Sequence, residues 1–319
     1  MGNNSQFFPI PPRGFLDRSP VGINNGLKEI QCICIHNHVQ QLTCVLFSFL
    51  KLCHYKPMIE SFIAALSAHP ALQALALAGS RTGLGCDALS DYDLYIYSKQ
   101  PLPLAFRQEL ADTFSEKAEL QNDYFGPGDE MQLKDGTFVD LMYRDLDWVE
   151  DEITRVWVGH QARVGYSTAF VHNIKTSHVL IDKDGRFSSL KQLLETDYPQ
   201  ALQKAIIRNN YPLLRSKLTA SFFDQIEHAV QRKDHLSMIH RTAALMESYF
   251  DILFALNKQT HPGEKRQQAW VHATCSLVPH QFDEDIKELT QGIGGETQLE
   301  TITRLLDHLD ELLKQEGWV

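Results

Sequence analysis

Long apolar runs are missing from the sequence, and a membrane-spanning helix needs about 20 such residues. The best candidate, Cys44 to Leu52, is about half that length and includes Lys51. This segment also lies too far along the chain for a signal peptide, and no small-residue cleavage site follows it. The sequence therefore predicts a cytoplasmic protein that does not engage a membrane.

Extremes of composition are missing as well. The chain has 319 residues, of which 43% are hydrophobic and 22% are charged. These fractions exclude the disordered, collagen-like and fibrous classes of protein. The length is typical of a two-domain globular protein.

Cysteine is scarce, with six in the whole chain. Four of the six fall within the first 57 residues: Cys32, Cys34, Cys44 and Cys53. Histidines lie near them, so a structural zinc cluster is an alternative interpretation of this segment. The spacing contains no paired C-x-x-C arrangement, which disfavours zinc. Cys86 and Cys275 are isolated, so a disulfide framework is not expected.

Positive charge is scarce in the middle of the chain. Residues 58–150 contain six Lys and Arg against sixteen Asp and Glu, in a chain whose net charge is −10. A domain that grips a nucleic-acid backbone needs Lys and Arg, so nucleic acid is not an expected partner. The acidic segment suits a cationic ligand or a bound divalent metal ion, and a solvated acidic surface is the alternative.

The sequence pattern divides the chain into three parts. Residues 1–57, rich in Asn, Pro and Gly up to Gly26, predict a poorly packed and dispensable N-terminal extension, with Met58 as an alternative start. Helical and strand patterns alternate over 58–147, beginning with a helical stripe of apolar residues after Met58. Helical patterns dominate 148–319.

Individual elements follow from the same periodicities. The predicted strands are Ala71 to Ala78, Asp91 to Tyr97 and the short piece His178 to Asp182. The predicted helices are Leu104 to Ala118, 211–232, 235–257, 264–275 and 296–315.

A hairpin is predicted where Asp129 to Lys134 and Thr137 to Tyr143 flank Asp135-Gly136, a sequence typical of two-residue turns. With such a turn Met131 would pair with Asp140. Asp129 would then share the face of Asp140 and add a carboxylate there.

The segment Leu77 to Leu94 contains the residues that carry chemistry. Gly79 and Ser80 end a predicted buried strand, where a glycine lets backbone N–H groups approach an anion and Arg81 adds a fixed cation. Asp91 and Asp93 lie two residues apart, so a strand would direct both carboxylates to one face. Adjacent carboxylates repel unless a cation lies between them, and Mg²⁺ prefers such oxygen ligands. The pattern predicts a metal-dependent nucleotide site.

A third carboxylate is expected from a neighbouring strand. Asp140 interrupts an otherwise apolar strand, and a buried carboxylate needs a partner. A metal ligand is therefore a better interpretation of Asp140 than a surface residue.

These motifs together resemble the signature of the polymerase-beta-type nucleotidyltransferases. The matching residues are Gly79-Ser80, Gly83, Ser90 to Leu94 and Asp140. The combination is fairly specific, whereas Asp-x-Asp alone would not be. The resemblance covers roughly residues 58–147. It implies an α+β fold, with a small mixed-sheet nucleotidyltransferase domain followed by an all-α helical domain.

The resemblance also implies an activity. Asp91, Asp93 and Asp140 would be the catalytic residues and would hold Mg²⁺, with two ions expected. A nucleoside monophosphate, AMP from ATP, would pass to a hydroxyl of a small-molecule acceptor, and pyrophosphate would leave. A protein-modifying nucleotidyltransferase of a regulatory or toxin–antitoxin system and a non-catalytic nucleotide-binding module are the alternatives. The sequence leaves open the base of the nucleotide, the acceptor and the oligomeric state.

A second part of the nucleotide site is expected from the helical domain. His240 to Arg266 is similar to an uncharacterised bacterial family in which a nucleotidyltransferase domain precedes a helical domain of unknown function. Pro262-Gly263 would end one helix and Glu264 would begin the next. Two cations at a helix start oppose the helix dipole, and a bound anion would remove that penalty. A capped turn with exposed charges is the alternative. The complete set of expected nucleotide-binding residues is Gly79, Ser80, Arg81, Lys265 and Arg266.

Overall fold

A computed structural model describes residues 57–84, 90–124, 126–216 and 220–319. The predicted N-terminal extension and its cysteine–histidine cluster lie outside these residues, apart from Pro57. The chain forms two compact units. The described residues of unit 1 are 57–81, 90–124, 126–146 and 178–187, and those of unit 2 are 82–84, 147–177, 188–216 and 220–319.

Unit 1 is built on a six-stranded mixed sheet, which confirms the predicted α+β class. The strands are β1 (Ala74–Ala78), β2 (Tyr92–Tyr97), β3 (Ser115–Asn122), β4 (Gly128–Leu133), β5 (Phe138–Arg144) and β6 (His178–Asp182). Their spatial order is β3-β4-β5-β2-β1-β6. β2 and β5 are parallel, and the other neighbouring pairs are antiparallel. The unit also contains two helices. α1 (Pro57–Ser67) precedes β1, and α2 (Leu104–Phe114) lies between β2 and β3.

One face of the sheet carries the hydrophobic core of unit 1. Strand alternation directs Leu94, Val139 and Leu141 to this face, and all three are at most 1% exposed. The predicted stripe of α1 packs there, and the Phe62 ring meets Phe114 of α2 edge to face at 5.6 Å. Asp93 and Asp140 therefore project from the opposite face of β2 and β5.

The first departure from expectation is the end of α2. The helix stops at Phe114 and Ser115 is extended, with φ −100° and ψ 149°. Residues 115–118, predicted as helical, belong to β3 and pair with β4. Local periodicity was wrong here because pairing with a neighbouring strand outweighs intrinsic helix preference.

The second departure is the turn between β4 and β5. The Leu133 amide donates to the Thr137 carbonyl at 2.8 Å, and the Gly136 amide donates to the Leu133 carbonyl at 2.8 Å. Gly136 has φ +81°, so the loop has three residues and ends in a left-handed glycine. The predicted two-residue turn is wrong by one residue. A one-residue shift moves every side chain to the other face of a strand.

The strand β6 confirms the β-like pattern of 178–182, but its partner could not be predicted. It pairs antiparallel with β1, on the side of β1 that does not contact β2. The sheet of unit 1 thus receives its last strand from within the segment 148–319.

Unit 2 is helical in its described residues. A helix α3 (Leu146–Ile153) leads into a π-helix, Thr154–Val158, and β6 lies between α4 (Ala169–Thr176) and α5 (Arg186–Leu194). The remaining helices are α6 (Gln200–Leu214), α7 (Phe222–Gln231), α8 (His235–Leu256), α9 (Gln267–Thr274), α10 (Phe282–Gly292) and α11 (Gln298–Gln315). None of the helices in the described parts of the chain is long and apolar enough to span a bilayer.

The predicted helix 211–232 is wrong, because two helices share that range. α6 ends at Leu214, and α7 begins after Ser221. The Ser221 hydroxyl accepts a hydrogen bond from the Asp224 amide, and the Ser221 amide donates one to the Asp224 carboxylate. This reciprocal cap marks a helix start. The predicted helix 235–257 agrees with α8, and its residues Tyr249 and Phe250 are buried.

Candidate functional site

Two carboxylates meet on the sheet face opposite the core of unit 1. Asp93 of β2 and Asp140 of β5 are directly paired in the parallel register, and both are half-buried. Paired residues of neighbouring strands project to the same face, with the strands about 4.8 Å apart. Like charges this close raise the energy of the site unless a cation lies between them.

Gly79 forms a wall of the same site. It follows Ala78, which pairs with Asp93 in the antiparallel register of β1 and β2. Gly79 has φ +68°, and a Cβ atom there would lie 1.8 Å from Asp93 Oδ2. The Asp93 carboxylate therefore occupies the space that any other residue's side chain would fill. A short 3-10 helix, Gly79–Thr82, carries the chain away from this point.

Arg81 binds the backbone immediately before β2. Its Nη2 donates to the Ser90 carbonyl at 2.5 Å and its Nε donates to the Asp91 carbonyl at 3.1 Å. The guanidinium also lies over the Tyr92 ring, 3.8 Å from its centroid, an attractive cation–π contact. These contacts position the chain around Asp91. Phosphate binding by Ser80, which is exposed, and by Arg81 stays a prediction.

Asp91 is placed differently from Asp93 and Asp140. β2 begins at Tyr92, so the exposed Asp91 precedes the strand and strand alternation does not direct it to the face of Asp93. Among the residues that the structure describes, no three His, Cys, Asp or Glu side chains are grouped to hold a metal ion. Mg²⁺ commonly binds through one or two carboxylates plus substrate phosphates. The Asp93–Asp140 pair beside Gly79 fits that donor set.

Asp129 is not the extra carboxylate that the hairpin predicted. The observed register pairs it with Leu141, and its side chain lies on the core face with 1% exposure. Asp129 accepts hydrogen bonds from Arg107 Nη1 at 2.7 Å, from the Tyr143 hydroxyl at 2.6 Å and from the Gln121 amide at 2.9 Å. Burial, followed by the neighbouring Asp129 charge, raises the pKa of Tyr143. This network belongs to the core of the unit.

Sequence reasoning missed two other carboxylates. Glu130 pairs with Asp140, and Glu119 of β3 pairs with Glu130. Together with Asp93 they form a row of four acidic residues across β2, β5, β4 and β3 on one face. A three-residue turn, which the glycine of Asp135-Gly136 also permits, would have predicted Glu130.

The residues expected from the helical half lie in unit 2. Lys265 and Arg266 are exposed in a turn, and Arg266 has φ +55° at the N-cap of α9. The helix begins at Gln267, so the prediction that Glu264 starts it is wrong, and the two cations precede the helix. Nucleotide binding by Lys265 and Arg266 stays a prediction.

A buried polar network lies within unit 2. Asp251 of α8 is 1% exposed and accepts hydrogen bonds from the Ser167 amide at 3.0 Å, the Ser167 hydroxyl at 2.7 Å and Asn210 Nδ2 at 3.2 Å. Asn210 Oδ1 in turn accepts from the Gly165 amide at 2.9 Å. Burial raises the pKa of Asp251 to about 7, against the opposing effect of these donors. Asp251 thus anchors the loop before α4 rather than facing solvent.

His261, which precedes Pro262-Gly263, binds Thr168, the next residue of the same loop. Its backbone amide donates to Thr168 Oγ1 at 2.8 Å, and its Nδ1 accepts from the Gly263 amide at 3.0 Å. The side chain is fully buried, and burial lowers the pKa of His261 to about 3. A neutral core histidine is therefore the role that the structure assigns.

Comparison with known proteins gives a match to a family model and a likeness to solved structures. A family model described as a domain of unknown function (DUF4037) matches residues 166–267, a range that contains His240 to Arg266. Among solved structures, a nucleotidyltransferase-like protein from Exiguobacterium sibiricum 255-15 is similar over 80% of this chain and 73% of its own, with 13% identity and a TM-score of 0.39. No curated protein matches the chain. The function proposed below rests on the site geometry.

The contact between Gly79 and Asp93 predicts a large effect of one methyl group. Gly79→Ala is expected to displace the Asp93 carboxylate and to lower the free energy of unfolding by about 2–4 kcal/mol, since a clash adds to left-handed strain. Gly185→Ala is the matched control, because Gly185 has the same φ of +68° with no atom within 4 Å of a built Cβ. It should cost about 1 kcal/mol. Thermal unfolding measures both, and equal losses would contradict the close approach.

Proposed function

We propose that the chain is a metal-dependent nucleotidyltransferase, which transfers AMP from ATP to a hydroxyl of a small-molecule acceptor and releases pyrophosphate. The observation that carries this proposal is the Asp93–Asp140 pair, directly opposed across β2 and β5 beside Gly79. Two adjacent carboxylates next to a glycine turn form an arrangement suited to a nucleotide–Mg²⁺ complex.

Bound Mg²⁺ would neutralise charge on the triphosphate and on the attacking and leaving oxygens. Asp93 and Asp140 would hold the ion, with Asp91 as a further candidate ligand. Gly79 and Ser80 would present backbone N–H groups to the phosphates. Much of the rate in such sites comes from positioning and charge stabilisation.

The proposed reaction balances as a single displacement. The acceptor hydroxyl oxygen forms a bond to the α-phosphorus of ATP, and the bond from that phosphorus to the bridging oxygen breaks. Pyrophosphate leaves with the electron pair of the broken bond. A carboxylate oxygen of Asp140 takes the hydroxyl proton and returns it to water.

The test is incubation of the full chain with Mg²⁺ and ATP labelled at the α-phosphate, together with a panel of hydroxylated small molecules. Pyrophosphate release and a labelled small-molecule product are expected. Cell lysate forms a second arm, in which a labelled protein would instead indicate the protein-modifying alternative. Binding of ATP and Mg²⁺ without pyrophosphate release in either arm would contradict the proposal and favour a non-catalytic nucleotide-binding module.

A further inference from the structure

Gly83, one of the residues that match the nucleotidyltransferase signature, packs against an aromatic ring of unit 2. A Cβ atom built on Gly83 would lie 2.9 Å from Cζ2 and 3.5 Å from Cη2 of Trp270. Apart from the chain neighbours of Gly83, no other described residue has an atom within 4 Å of that Cβ. Gly83 is not one of the described glycines with a left-handed backbone. The close approach of the indole therefore explains why this position has no side chain.

Trp270 is itself held firmly within unit 2. It lies on α9, and its half-buried side chain packs against the hydrophobic core of the unit. The His172 ring meets the indole edge to face, with 4.8 Å between the ring centroids. His172 Nδ1 in turn lies 2.8 Å from Thr260 Oγ1. The indole is thus a fixed surface for Gly83, because contacts to several elements of unit 2 set its position.

Gly83 is joined to the proposed phosphate turn by a short and ordered stretch of chain. The 3-10 helix Gly79–Thr82 ends at the residue before Gly83. The chain passes from unit 1 to unit 2 between Arg81 and Thr82. Arg81 also bonds to the carbonyls of Ser90 and Asp91, where the chain returns to β2. A displacement of Gly83 would therefore be transmitted along one helical turn to the backbone N–H groups of Gly79 and Ser80.

We propose that Trp270 is a positioning residue for the nucleotide site, which acts by holding Gly83 and with it the turn Gly79–Thr82. The inference rests on the proposed function, because that function assigns the phosphates of ATP to this turn. A turn that samples other conformations binds ATP more weakly, since the affinity falls with the fraction of chains in the binding-competent conformation. Trp270 raises that fraction through Gly83 and needs no contact with the nucleotide.

The first test is Gly83→Ala in the full chain. Its methyl group would clash with the indole and displace the turn, so binding of a non-hydrolysable ATP analogue with Mg²⁺ should weaken by at least about fivefold in calorimetric titration. Gly292→Ala is the matched control. Gly292 is also in unit 2 and also lacks a left-handed backbone, and the nearest atom to a Cβ built there is 3.6 Å away. This variant should bind the analogue like the wild type.

A second substitution assigns the effect to one contact. Trp270→Phe keeps an aromatic ring beside His172 and removes the outer indole atoms Cζ2 and Cη2. Alone, it should weaken binding of the ATP analogue by at least about twofold, because Gly83 loses its support. In the Trp270→Phe background, Gly83→Ala should change the affinity by less than about twofold, since the methyl group then has room.

A third variant separates positioning from stability. Ile302 is fully buried in the hydrophobic core of unit 2, so Ile302→Val should lower the temperature of thermal unfolding. It should still bind the ATP analogue with wild-type affinity. Gly83→Ala should lose affinity at a temperature where thermal unfolding shows that the chain is still folded. Equal losses of affinity in Ile302→Val and Gly83→Ala would overturn the positioning role.

The remaining outcomes separate this inference from the proposed function. Weaker binding by Gly83→Ala that Trp270→Phe relieves supports the positioning role. Wild-type affinity in Gly83→Ala, or an equal loss in both backgrounds, overturns that role and leaves the proposed function standing. If Gly83→Ala does not fold, Trp270→Phe decides alone, and wild-type affinity in that variant overturns the role. A wild type that binds no ATP analogue rejects the proposed function, and the positioning role with it.

Discussion

Asp140→Asn is expected to lower the rate of pyrophosphate release by about 1000-fold or more, while ATP affinity changes by less than about fivefold. The amide keeps the shape of the side chain but cannot take the hydroxyl proton, and it is a poorer ligand for Mg²⁺. Asp93 would still hold the ion that accompanies the triphosphate. The loss should therefore fall on kcat, as measured in a pyrophosphate-release assay alongside calorimetric titration with a non-hydrolysable ATP analogue.

Two further variants complete this test. Asp93→Asn should lose turnover and also weaken ATP binding in the presence of Mg²⁺, since Asp93 lies beside the Gly79 turn where the phosphates are proposed to bind. Asp184→Asn, in an exposed turn of unit 1, should match the wild type in both measurements. If Asp140→Asn loses as much ATP affinity as Asp93→Asn, the acceptor-side role of Asp140 is wrong.

Asp251→Ala is expected to lower the free energy of unfolding by about 3–5 kcal/mol, the largest stability effect that the structure predicts. The substitution leaves the Ser167 amide, the Ser167 hydroxyl and Asn210 Nδ2 buried without their acceptor. Because these groups fix the loop before α4, thermal or denaturant unfolding should show the loss in unit 2. Asp283→Ala, at an exposed position of α10, is the control. A loss below about 1 kcal/mol would show that the loop is held by other contacts.

The contribution of Asp251 to the free energy of unfolding should change with pH in a defined direction. Burial raises the folded pKa of Asp251 to about 7, above the value of about 3.9 for an unfolded chain. The folded state then holds a proton that the unfolded state releases, so this stabilising contribution is complete below pH 4 and is lost as the pH rises through 7. The difference in unfolding free energy between the wild type and Asp251→Asn should shrink over that range. A difference that stays constant would place the folded pKa of Asp251 near its ordinary value.

Turn geometry explains the main error in the candidate site. Asp135-Gly136 is compatible with loops of two or three residues, and the choice between them depends on how β4 and β5 twist against each other. One residue of difference exchanged the roles of two neighbouring acidic side chains. Asp129 became a core residue bonded to Arg107 and Tyr143, and Glu130 joined Asp140 on the open face.

The end of α2 and the start of β2 could likewise not be predicted from the local sequence. Residues 115–118 continue the helical periodicity of α2, yet they pair with β4. Asp91 extends the alternation of β2, yet the strand begins at Tyr92, where Arg81 binds the preceding carbonyls. In each case hydrogen bonds to residues distant in sequence outweighed a preference worth a fraction of a kilocalorie per residue.

The sequence by itself determined the α+β class, and it singled out Gly79, Asp93 and Asp140 as candidate residues, because these inferences depend on local patterns of strand, glycine and buried charge. Only the tertiary structure decided which carboxylates stand together. The parallel register of β2 and β5 pairs Asp93 with Asp140, the hairpin register adds Glu130, and β6 enters the sheet from the helical half. Strand register is set by the burial of a whole face and by turn geometry, and neither is encoded within a short stretch of residues.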